Sequence, residues 1–230
     1  MVFDNIQNKL KRRSLMRRGK EFLKQGEYEK ALECDNEALK LDPGDITGIK
    51  NKNITLELMG RYEEASKLYL AVLDLTPESS KDWSFKGDAF NYLNKYENAL
   101  ECYENALDLD PKNFEAWNNK GIILKKLGKY KEAVECCDKA LELFPQFNVH
   151  WTNKGMVLIE LKEYQRALNC FDKALELYCG DEMAWYNKGT ALKNIEKYKE
   201  ALKCFDEALE IDPDYEDSKK AKEEILSSES

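Results

Sequence analysis

The apolar positions of this chain recur in steps of three and four residues, within pairs of short segments that glycine separates and proline closes. The stretch 114–147 has the clearest pattern. Its first segment brings Trp117, Gly121 and Leu124 to one side of a helix, and a second segment with the same periodicity opens at Tyr130. Glycine is typical just past a helix end, and proline cannot continue a helix interior. The stretch therefore predicts two helices joined by a turn.

This two-helix unit recurs at a step of 34 residues, which marks a repeat architecture. Repeats bury their apolar surface between neighbours instead of around one centre, so chain length alone does not predict the number of domains. An N-terminal extension at 1–11 is expected to form a loose turn of helix or to lack order. Six copies follow at 12–45, 46–79, 80–113, 114–147, 148–181 and 182–215, and then a capping helix and frayed tail at 216–230.

Tryptophan, glycine, tyrosine, alanine and proline return at fixed places in these copies, in the pattern W-x-N-K-G … Y-x-x-A … F-x-x-A-L-E-L-x-P. From Arg12 to about Tyr215, this set resembles the tetratricopeptide repeat. The resemblance implies an all-α fold, a right-handed α-α superhelix (solenoid) of six stacked helix-turn-helix hairpins plus a C-terminal capping helix. It also implies a concave face lined by the first helix of each copy, which generally holds peptides or partner proteins.

The first two copies match the family least well. Leu15 stands where later copies have tryptophan, Asp35 stands where an aromatic side chain is usual, and Asn53 replaces the glycine. Weaker matches are expected at the end of an array. Every copy also has a basic residue where the family most often has leucine, and we expect its stem to cover apolar surface while its charge reaches solvent. These residues are Arg18, Lys52, Lys86, Lys120, Lys154 and Lys188.

The chain is acidic, with 44 Asp and Glu residues against 36 Lys and Arg residues and a formal net charge of -8. This balance disfavours a general nucleic-acid binder. No apolar run approaches the roughly 18 residues of a membrane-spanning helix, and the first residues have no apolar core like that of a secretory signal. We therefore expect no membrane partner and a cytoplasmic location.

Residues suited to catalysis or metal binding are few. The one histidine, His150, has no recurring nucleophile or orienting partner, so we expect it to pack or to lie at the surface. Five of the seven cysteines share one place in the repeat, and equivalent atoms of neighbouring repeats are too far apart for a disulfide. Zinc-binding and phosphate-binding spacings are missing. The sequence predicts a protein that is not an enzyme and uses no cofactor.

Asparagine recurs on the face that the resemblance assigns to the ligand. A side-chain amide offers an acceptor and two donors, so a ladder of asparagines can hold both the C=O and the N–H of a peptide bond. Alternatively, these asparagines bond neighbouring helices and stabilise the stack, and the sequence does not decide between the two. The candidate peptide-binding residues are Asn51, Asn119, Asn153 and Asn187, with Ile122, Met156, Ile159, Tyr186, Lys50 and Lys81 beside them.

A basic run near the N-terminus is the strongest charge asymmetry of the chain. From Lys9 to Lys20 there are seven basic residues and no acidic one. Such a run is usually a solvated helix face, and the alternative is a docking patch for an acidic partner. The candidate patch residues are Arg12, Arg13, Arg17, Arg18 and Lys20.

The leading hypothesis is a non-catalytic protein-protein interaction scaffold that binds an extended peptide or partner segment in the concave groove. One alternative is a structural array that forms a homo-oligomer through its ends or its groove. Another is RNA or anionic-surface binding through the basic patch, which predicts an affinity that falls steeply with salt. The acidic composition makes a nucleic-acid partner the less favoured of these.

Overall fold

A computed structural model describes the backbone of residues 2–228 and the side chains of residues 6–227. All regular secondary structure in this part of the chain is α-helical. The helices fall into two units, which we call the N-terminal unit (Met1–Pro111) and the C-terminal unit (Lys112–Ser230).

The N-terminal unit contains three helical hairpins. Their helices are α1 (Val2–Lys24) and α2 (Tyr28–Leu41), α3 (Ile46–Leu58) and α4 (Tyr62–Val72), and α5 (Ser80–Tyr92) and α6 (Tyr96–Leu109). The two helices of each hairpin pack together, and each second helix also packs on the first helix of the next hairpin in the unit. Residues 2–11, where a loose turn or a lack of order was expected, are helical and continuous with the first helix of the first repeat.

The C-terminal unit contains three further hairpins and a final helix. Its helices are α7 (Phe114–Lys126), α8 (Tyr130–Leu143), α9 (Asn148–Glu160), α10 (Tyr164–Leu177), α11 (Glu182–Asn194), α12 (Tyr198–Ile211) and α13 (Glu216–Ser228). Helix α13 packs against α11 and α12 and so covers the last hairpin. Of the frayed tail expected at 227–230, the first two residues belong to α13 and the last two lie outside the described residues. The predicted all-α class with six hairpins and a capping helix is confirmed.

Polar side chains at the start of several first helices fix where those helices begin. Asn113 and Asp181 accept a backbone N–H from the first turn of α7 and α11, at 3.0 and 2.9 Å. Ser79 forms a reciprocal capping box with Asp82 at the start of α5. These contacts satisfy backbone donors that have no partner inside the helix.

In two hairpins of the C-terminal unit, glycine faces an aromatic ring where the two helices cross. Phe171 and Phe205 are 0% exposed. A Cβ atom added to Gly155 would lie 2.5 Å from the Phe171 ring, and one added to Gly189 would lie 2.6 Å from the Phe205 ring. Only a residue without a side chain fits there, which accounts for a glycine inside a helix despite its cost of about 1 kcal/mol relative to alanine.

The first hairpin of the N-terminal unit has a carboxyl group at the equivalent contact. Asp35 is 1% exposed and accepts a hydrogen bond of 2.8 Å from the Thr55 hydroxyl. Burial raises the pKa of the Asp35 carboxyl to about 6, and the hydrogen bond from Thr55 opposes this shift. Asn53, which replaces the recurring glycine, is also buried and donates to the carbonyl of Ala65 at 2.9 Å.

The turn between the two helices of each hairpin contains one residue with a left-handed backbone. This conformation favours glycine because a Cβ atom crowds the following carbonyl. Three of the six hairpins have glycine there and three have another residue. The residues are Gly26, Gly60, Asn94, Gly128, Lys162 and Glu196, with φ between 56° and 74°.

Candidate functional site

The first helices of each unit form a shared surface, which we call the first-helix face. In the C-terminal unit α9 contacts both α7 and α11, and in the N-terminal unit α3 contacts both α1 and α5. Within each unit, the second helices contact only first helices and the capping helix. Every candidate peptide-binding residue lies on a first helix, so the sequence assigned all of them to one type of surface.

A chain of side-chain amides joins α7 and α9 on this face. The Nδ2 group of Asn153 donates to Oδ1 of Asn118 at 3.0 Å. The Nδ2 group of Asn118 in turn donates to Oδ1 of Asn119 at 3.1 Å. Asn118 is 6% exposed, so the link is largely shielded from water. Two of the candidate asparagines therefore take part in packing one repeat on the next.

The side-chain oxygens of two candidate asparagines are not used in packing the repeats together. Asn187 donates through Nδ2 to the carbonyl of Met183 in its own helix, at 2.7 Å. The Oδ1 atoms of Asn153 and Asn187 accept no hydrogen bond from any described residue. Each of these two side chains thus uses a donor within the protein and keeps an acceptor for another molecule.

Apolar side chains flank these asparagines in the C-terminal unit. Ile122, Met156, Ile159 and Tyr186 are half-buried, on α7, α9 and α11. The ring centroid of Tyr186 lies 5.9 Å from that of Phe205 and 5.4 Å from that of Tyr215. Beside them on the same helices, Val149 is 41% exposed and Met183 is 42% exposed.

The candidate residues of the N-terminal unit are placed differently. Asn51 is 6% exposed, and its Nδ2 group has no hydrogen-bond partner. Lys50 is half-buried and Lys81 is exposed. The basic patch on α1 is divided: Arg13, Arg17, Arg18 and Lys20 are exposed, whereas Arg12 is half-buried.

Arg12 does not belong with the exposed patch. Its guanidinium pairs with the carboxylate of Asp42, and its Nε atom lies 3.3 Å from Asp45. Both partners lie in the connection between the first and second repeats. Arg12 therefore holds α1 to that connection and is not free to bind another molecule, as a solvent-exposed arginine would be.

The recurring lysines of the C-terminal unit have structural contacts. Lys154 pairs with Asp138 at 2.5 Å and Lys188 pairs with Asp172 at 2.7 Å, each from one repeat to the preceding one. Lys222 pairs with Asp206 in the same way. The ammonium groups of the first two lie 5.9 and 5.1 Å from the ring centroids of the tryptophans in the same helix turn. The charges therefore tie neighbouring repeats together, and the expected covering of apolar surface by the lysine stems stays a prediction.

His150 and six of the seven cysteines are buried. His150 is 2% exposed among the rings of Phe114, Phe144 and Phe147, and burial lowers its pKa. All seven cysteines are free, and burial raises the pKa of Cys137 to about 12. A protonated thiol is a poor nucleophile and a poor metal ligand.

Among the side chains of residues 6–227, no group of three or more His, Cys, Asp or Glu residues could hold a metal ion. In the same part of the chain, no helix has the length and hydropathy that crossing a membrane requires.

Stacked hairpins with a shared first-helix face define a helical-repeat protein. A family model described as the tetratricopeptide repeat matches residues 13–45, 114–147, 150–178 and 183–215. A related model, described as a TPR repeat, matches residues 87–128. These matches cover more than half of the chain. The chain belongs to the tetratricopeptide repeat family, which confirms the resemblance found in the sequence.

Two solved structures share this fold. The crystal structure of the APC/C hetero-tetramer Cut9-Hcn1 has a TM-score of 0.80 and 17% identity, and the match covers 92% of this chain and 42% of that chain. At that identity the likeness shows the fold alone. YrrB, described as a TPR protein with an unusual peptide-binding site, has a TM-score of 0.57 and 25% identity, with 84% of this chain and 99% of that chain covered. No curated protein matches the sequence.

Sequence reasoning missed Asn118 and the aspartates that pair with the recurring lysines. Asn118 is the single asparagine at its place among the six copies, so no recurrence points to it. The aspartates could have been found, because Asp138, Asp172 and Asp206 each precede their lysine by 16 residues. That spacing crosses from one copy to the next and is lost when copies are compared one at a time.

Proposed function

We propose that this protein is a non-catalytic interaction scaffold and that the first-helix face of its C-terminal unit binds an extended peptide or partner segment. The observation that carries the proposal is that the side-chain carbonyl oxygens of Asn153 and Asn187 accept no hydrogen bond from the described residues. An extended peptide presents backbone N–H groups that such oxygens accept. Equivalent residues of successive repeats offer these acceptors along the direction in which the hairpins stack.

The two roles that the sequence left open for the asparagines are compatible. An amide group has donors on one side and an acceptor on the other. Asn153 uses a donor to hold α9 against α7 through Asn118, and this bond fixes the orientation of the amide. A fixed side chain loses little further freedom when a ligand binds, so each new hydrogen bond contributes more fully to affinity.

Side chains of the ligand would contact the apolar residues beside the amides. Met156 and Ile159 on α9 and Tyr186 on α11 are half-buried and present apolar surface. Backbone recognition by the amides demands little of the ligand sequence, and these apolar contacts would supply the preference. The peptide-binding site named in the description of the similar YrrB structure supports this assignment of function.

The test begins with selection of peptides from a random display library on the full chain. Affinity for a selected peptide is then measured by titration calorimetry for the parent and for Asn153→Ala/Asn187→Ala. Loss of two net hydrogen bonds should weaken binding by about 2 kcal/mol, or roughly thirtyfold. An unchanged affinity in a folded double variant would contradict the proposal.

Two further variants separate binding from stability. Asn118→Ala removes the hydrogen bond between α7 and α9 but no proposed ligand acceptor. Its melting temperature should therefore fall, while its affinity for the peptide should fall much less than that of the double variant. Asn169→Ala changes an exposed asparagine on α10 and should leave both quantities unchanged. If Asn118→Ala weakens binding as strongly as the double variant, the amides act through the stack and not as ligand contacts.

Light scattering across a concentration series distinguishes this function from self-association. The proposal expects a monomer at high concentration, and obligate assembly in the absence of ligand would favour the structural-array alternative. The proposal also includes a cytoplasmic location, because seven free cysteines suit a reducing compartment. Fractionation of cells that express the chain tests that location.

A further inference from the structure

Two connections between repeats of the C-terminal unit have exposed aromatic rings at places where other copies are polar. Phe144 and Tyr178 stand where the other four copies have aspartate or threonine, and Phe147 stands where four of the other five copies are polar. The polar equivalents are Asp42, Thr76, Asp110 and Asp212 at the first place and Asp45, Ser79, Asn113 and Asp181 at the second. Phe144, Phe147 and Tyr178 are 41%, 44% and 57% exposed, and we call them the aromatic edge.

One ring of the aromatic edge replaces a helix cap. Asn113 and Asp181 each accept a backbone N–H from the first turn of the helix that follows them. Phe147, at the equivalent place before α9, makes no such bond. Loss of a polar cap lowers helix stability, and a ring that stays largely exposed gains little from burial. Residues that break a local rule in this way are expected at functional sites.

Contacts within the unit hold each ring of the aromatic edge in place. Phe144 stacks on Phe114, with the ring centroids 4.9 Å apart. Phe147 meets the ring of buried His150 edge to face at 5.0 Å. Tyr178 folds back over the glycine two residues later, where a Cβ atom would lie 2.8 Å from the tyrosine hydroxyl. Side chains that are already ordered lose little further freedom when a ligand binds.

Hydrogen bonds join the two connections that carry these rings. Asn148, the residue after Phe147, donates through Nδ2 to the carboxylate of Asp181 at 3.0 Å. Thr152, one turn further along α9, donates to the same carboxylate at 3.0 Å. Asp181 follows Tyr178 by three residues in the next connection. The rings of both connections therefore belong to one edge of the C-terminal unit.

The charge around the aromatic edge is negative. The stretches 140–153 and 174–187, which contain the two connections, have no lysine or arginine. Their acidic residues are Glu142, Glu176, Asp181 and Glu182. Glu142 and Glu176 pair with lysines three residues earlier in their own helices, and such exposed pairs are weak. Their carboxylates can therefore exchange these partners for a cation on another molecule.

We propose that the aromatic edge binds a segment of a partner protein in which arginine lies next to apolar residues. The planar guanidinium group stacks on the exposed rings and pairs with Glu142 or Glu176, since both contacts suit its shape and charge. Apolar side chains of the segment cover the rest of the rings. A nucleic acid would instead meet carboxylates where its phosphates require cations. The aromatic edge shares no residue with the site proposed on the first-helix face, so either can fail without the other.

The test uses a fluorescein-labelled peptide of three Arg-Leu-Ser units as the probe and its anisotropy with the full chain as the readout. A counterpart peptide has citrulline in place of arginine, which keeps the shape of the side chain but removes its charge. The unlabelled citrulline peptide should compete at least tenfold less well than the unlabelled arginine peptide. Equal competition by the two peptides would overturn the assignment of arginine.

Returning the aromatic edge to the residues of other copies locates the site. Phe144→Asp/Tyr178→Asp should weaken binding of the probe about tenfold or more, because two ring faces are removed. The same variant adds two negative charges, so attraction to net charge alone would strengthen binding of this cationic probe. Tighter binding by the variant would therefore overturn the proposal.

A single exposed tyrosine in each unit provides a matched comparison. Tyr178→Asp should weaken binding about threefold to tenfold. Tyr62→Asp makes the same change at the start of α4, at a side chain that is 70% exposed, and should bind the probe like the parent. Equal affinity of these two variants would show that the probe does not bind at the aromatic edge.

Phe147→Asn supplies a readout that a merely structural ring would not give. Asparagine is the residue of the third copy at this place, where Asn113 caps α7. The new cap should leave the melting temperature unchanged or raise it, while the affinity for the probe falls about threefold or more. A lower melting temperature with unchanged affinity would assign Phe147 to packing alone and overturn its part in the site.

Discussion

The two units repeat the same hairpin but fill its centre with different side chains. In the C-terminal unit, Phe171 and Phe205 press their rings on glycine and are 0% exposed. In the N-terminal unit, Asp35 takes this place in the first hairpin, and Tyr103 takes it in the third and donates its hydroxyl to Asp88. The backbone arrangement is retained although the buried chemistry changes from apolar to polar.

The hairpin keeps its shape with either an apolar or a polar side chain at its centre, but the two kinds of side chain contribute differently to stability. Burial of a phenyl ring is favourable in itself, whereas a buried carboxyl or amide needs partners to offset its lost hydration. Asp35 has the hydroxyl of Thr55 as a partner, and the Nδ2 group of Asn51 has none. We therefore expect the N-terminal unit to open at lower free energy than the C-terminal unit.

The largest expected effect is removal of a buried ring from the C-terminal unit. Phe171→Ala should cost about 3–5 kcal/mol of unfolding free energy, because it leaves a cavity in front of Gly155. Hydrogen exchange followed by mass spectrometry resolves the two units and should locate the loss in the C-terminal unit. Leu177→Ala, at a side chain that is 45% exposed, is the matched control and should cost less than 1 kcal/mol.

The second effect is a pH dependence confined to the N-terminal unit. The folded-state pKa of Asp35, about 6, lies above its usual value of 3.8, so the folded state binds the proton more tightly. The stabilisation is complete below about pH 4 and is lost as the pH rises through 6, by about 3 kcal/mol for this shift. Urea unfolding from pH 4 to 7.5 measures it.

Asp35→Asn should remove that pH dependence, and Asp74→Asn, at an exposed carboxyl of the same unit, should preserve it. Lowering the pH from 7 to 5 should therefore stabilise the N-terminal unit of the parent protein but not that of Asp35→Asn. If the parent and Asp35→Asn instead lose the same stability over this range, Asp35 is not the titrating group.

A third comparison changes the recurring glycine in each unit. Gly155→Ala should cost about 1–3 kcal/mol, since its Cβ would lie 2.5 Å from a buried ring. Gly19→Ala should be close to neutral, because its nearest contact is the Asp35 carboxylate at 3.1 Å and alanine favours the helix by up to about 1 kcal/mol. Equal losses of unfolding free energy in Gly155→Ala and Gly19→Ala would show that contact with the buried ring is not the reason why glycine is required at this place.

The smallest expected effect concerns the recurring lysines. Lys188→Gln removes the ion pair with Asp172 and should cost about 0.5–1 kcal/mol at low salt and less in 1 M NaCl. Lys86 of the N-terminal unit instead donates to the carbonyl of Leu75 at 2.8 Å, so Lys86→Gln should depend little on salt. A double-mutant cycle with Asp172→Asn isolates the pair, and a coupling energy of zero would remove its proposed role.

The fold could be predicted from the sequence because the residues that specify it recur in nearly every copy. Gly155 and its equivalents face a neighbouring helix in five of the six hairpins, and that demand leaves a period in the sequence. The first-helix face could be located for the same reason. The contacts on this face could not be predicted, because they depend on a residue that differs between copies. The fourth copy has Asn118, which accepts a hydrogen bond from Asn153 of the next copy. The first copy has Met16 at the equivalent place, and the Nδ2 group of Asn51 in the next copy has no partner.

The basic patch illustrates a second limit of sequence reasoning. Arg12 and Arg13 are neighbours in the chain and were assigned to one surface. The helix turns them to different sides, and Arg12 pairs with Asp42 while Arg13 is exposed. Which residues of a charged run find an internal partner depends on a connection some 30 residues away, at the end of the first repeat.

The left-handed turns show that this protein is not at the limit of its own stability. Lys162 and Glu196 adopt a backbone conformation that costs an L side chain roughly 1–2 kcal/mol, although glycine occupies the same place in three other hairpins. Selection has evidently been satisfied without the better residue. The chain thus tolerates residues other than glycine at these two turns, and a designer who needs a more robust scaffold can begin by placing glycine at both.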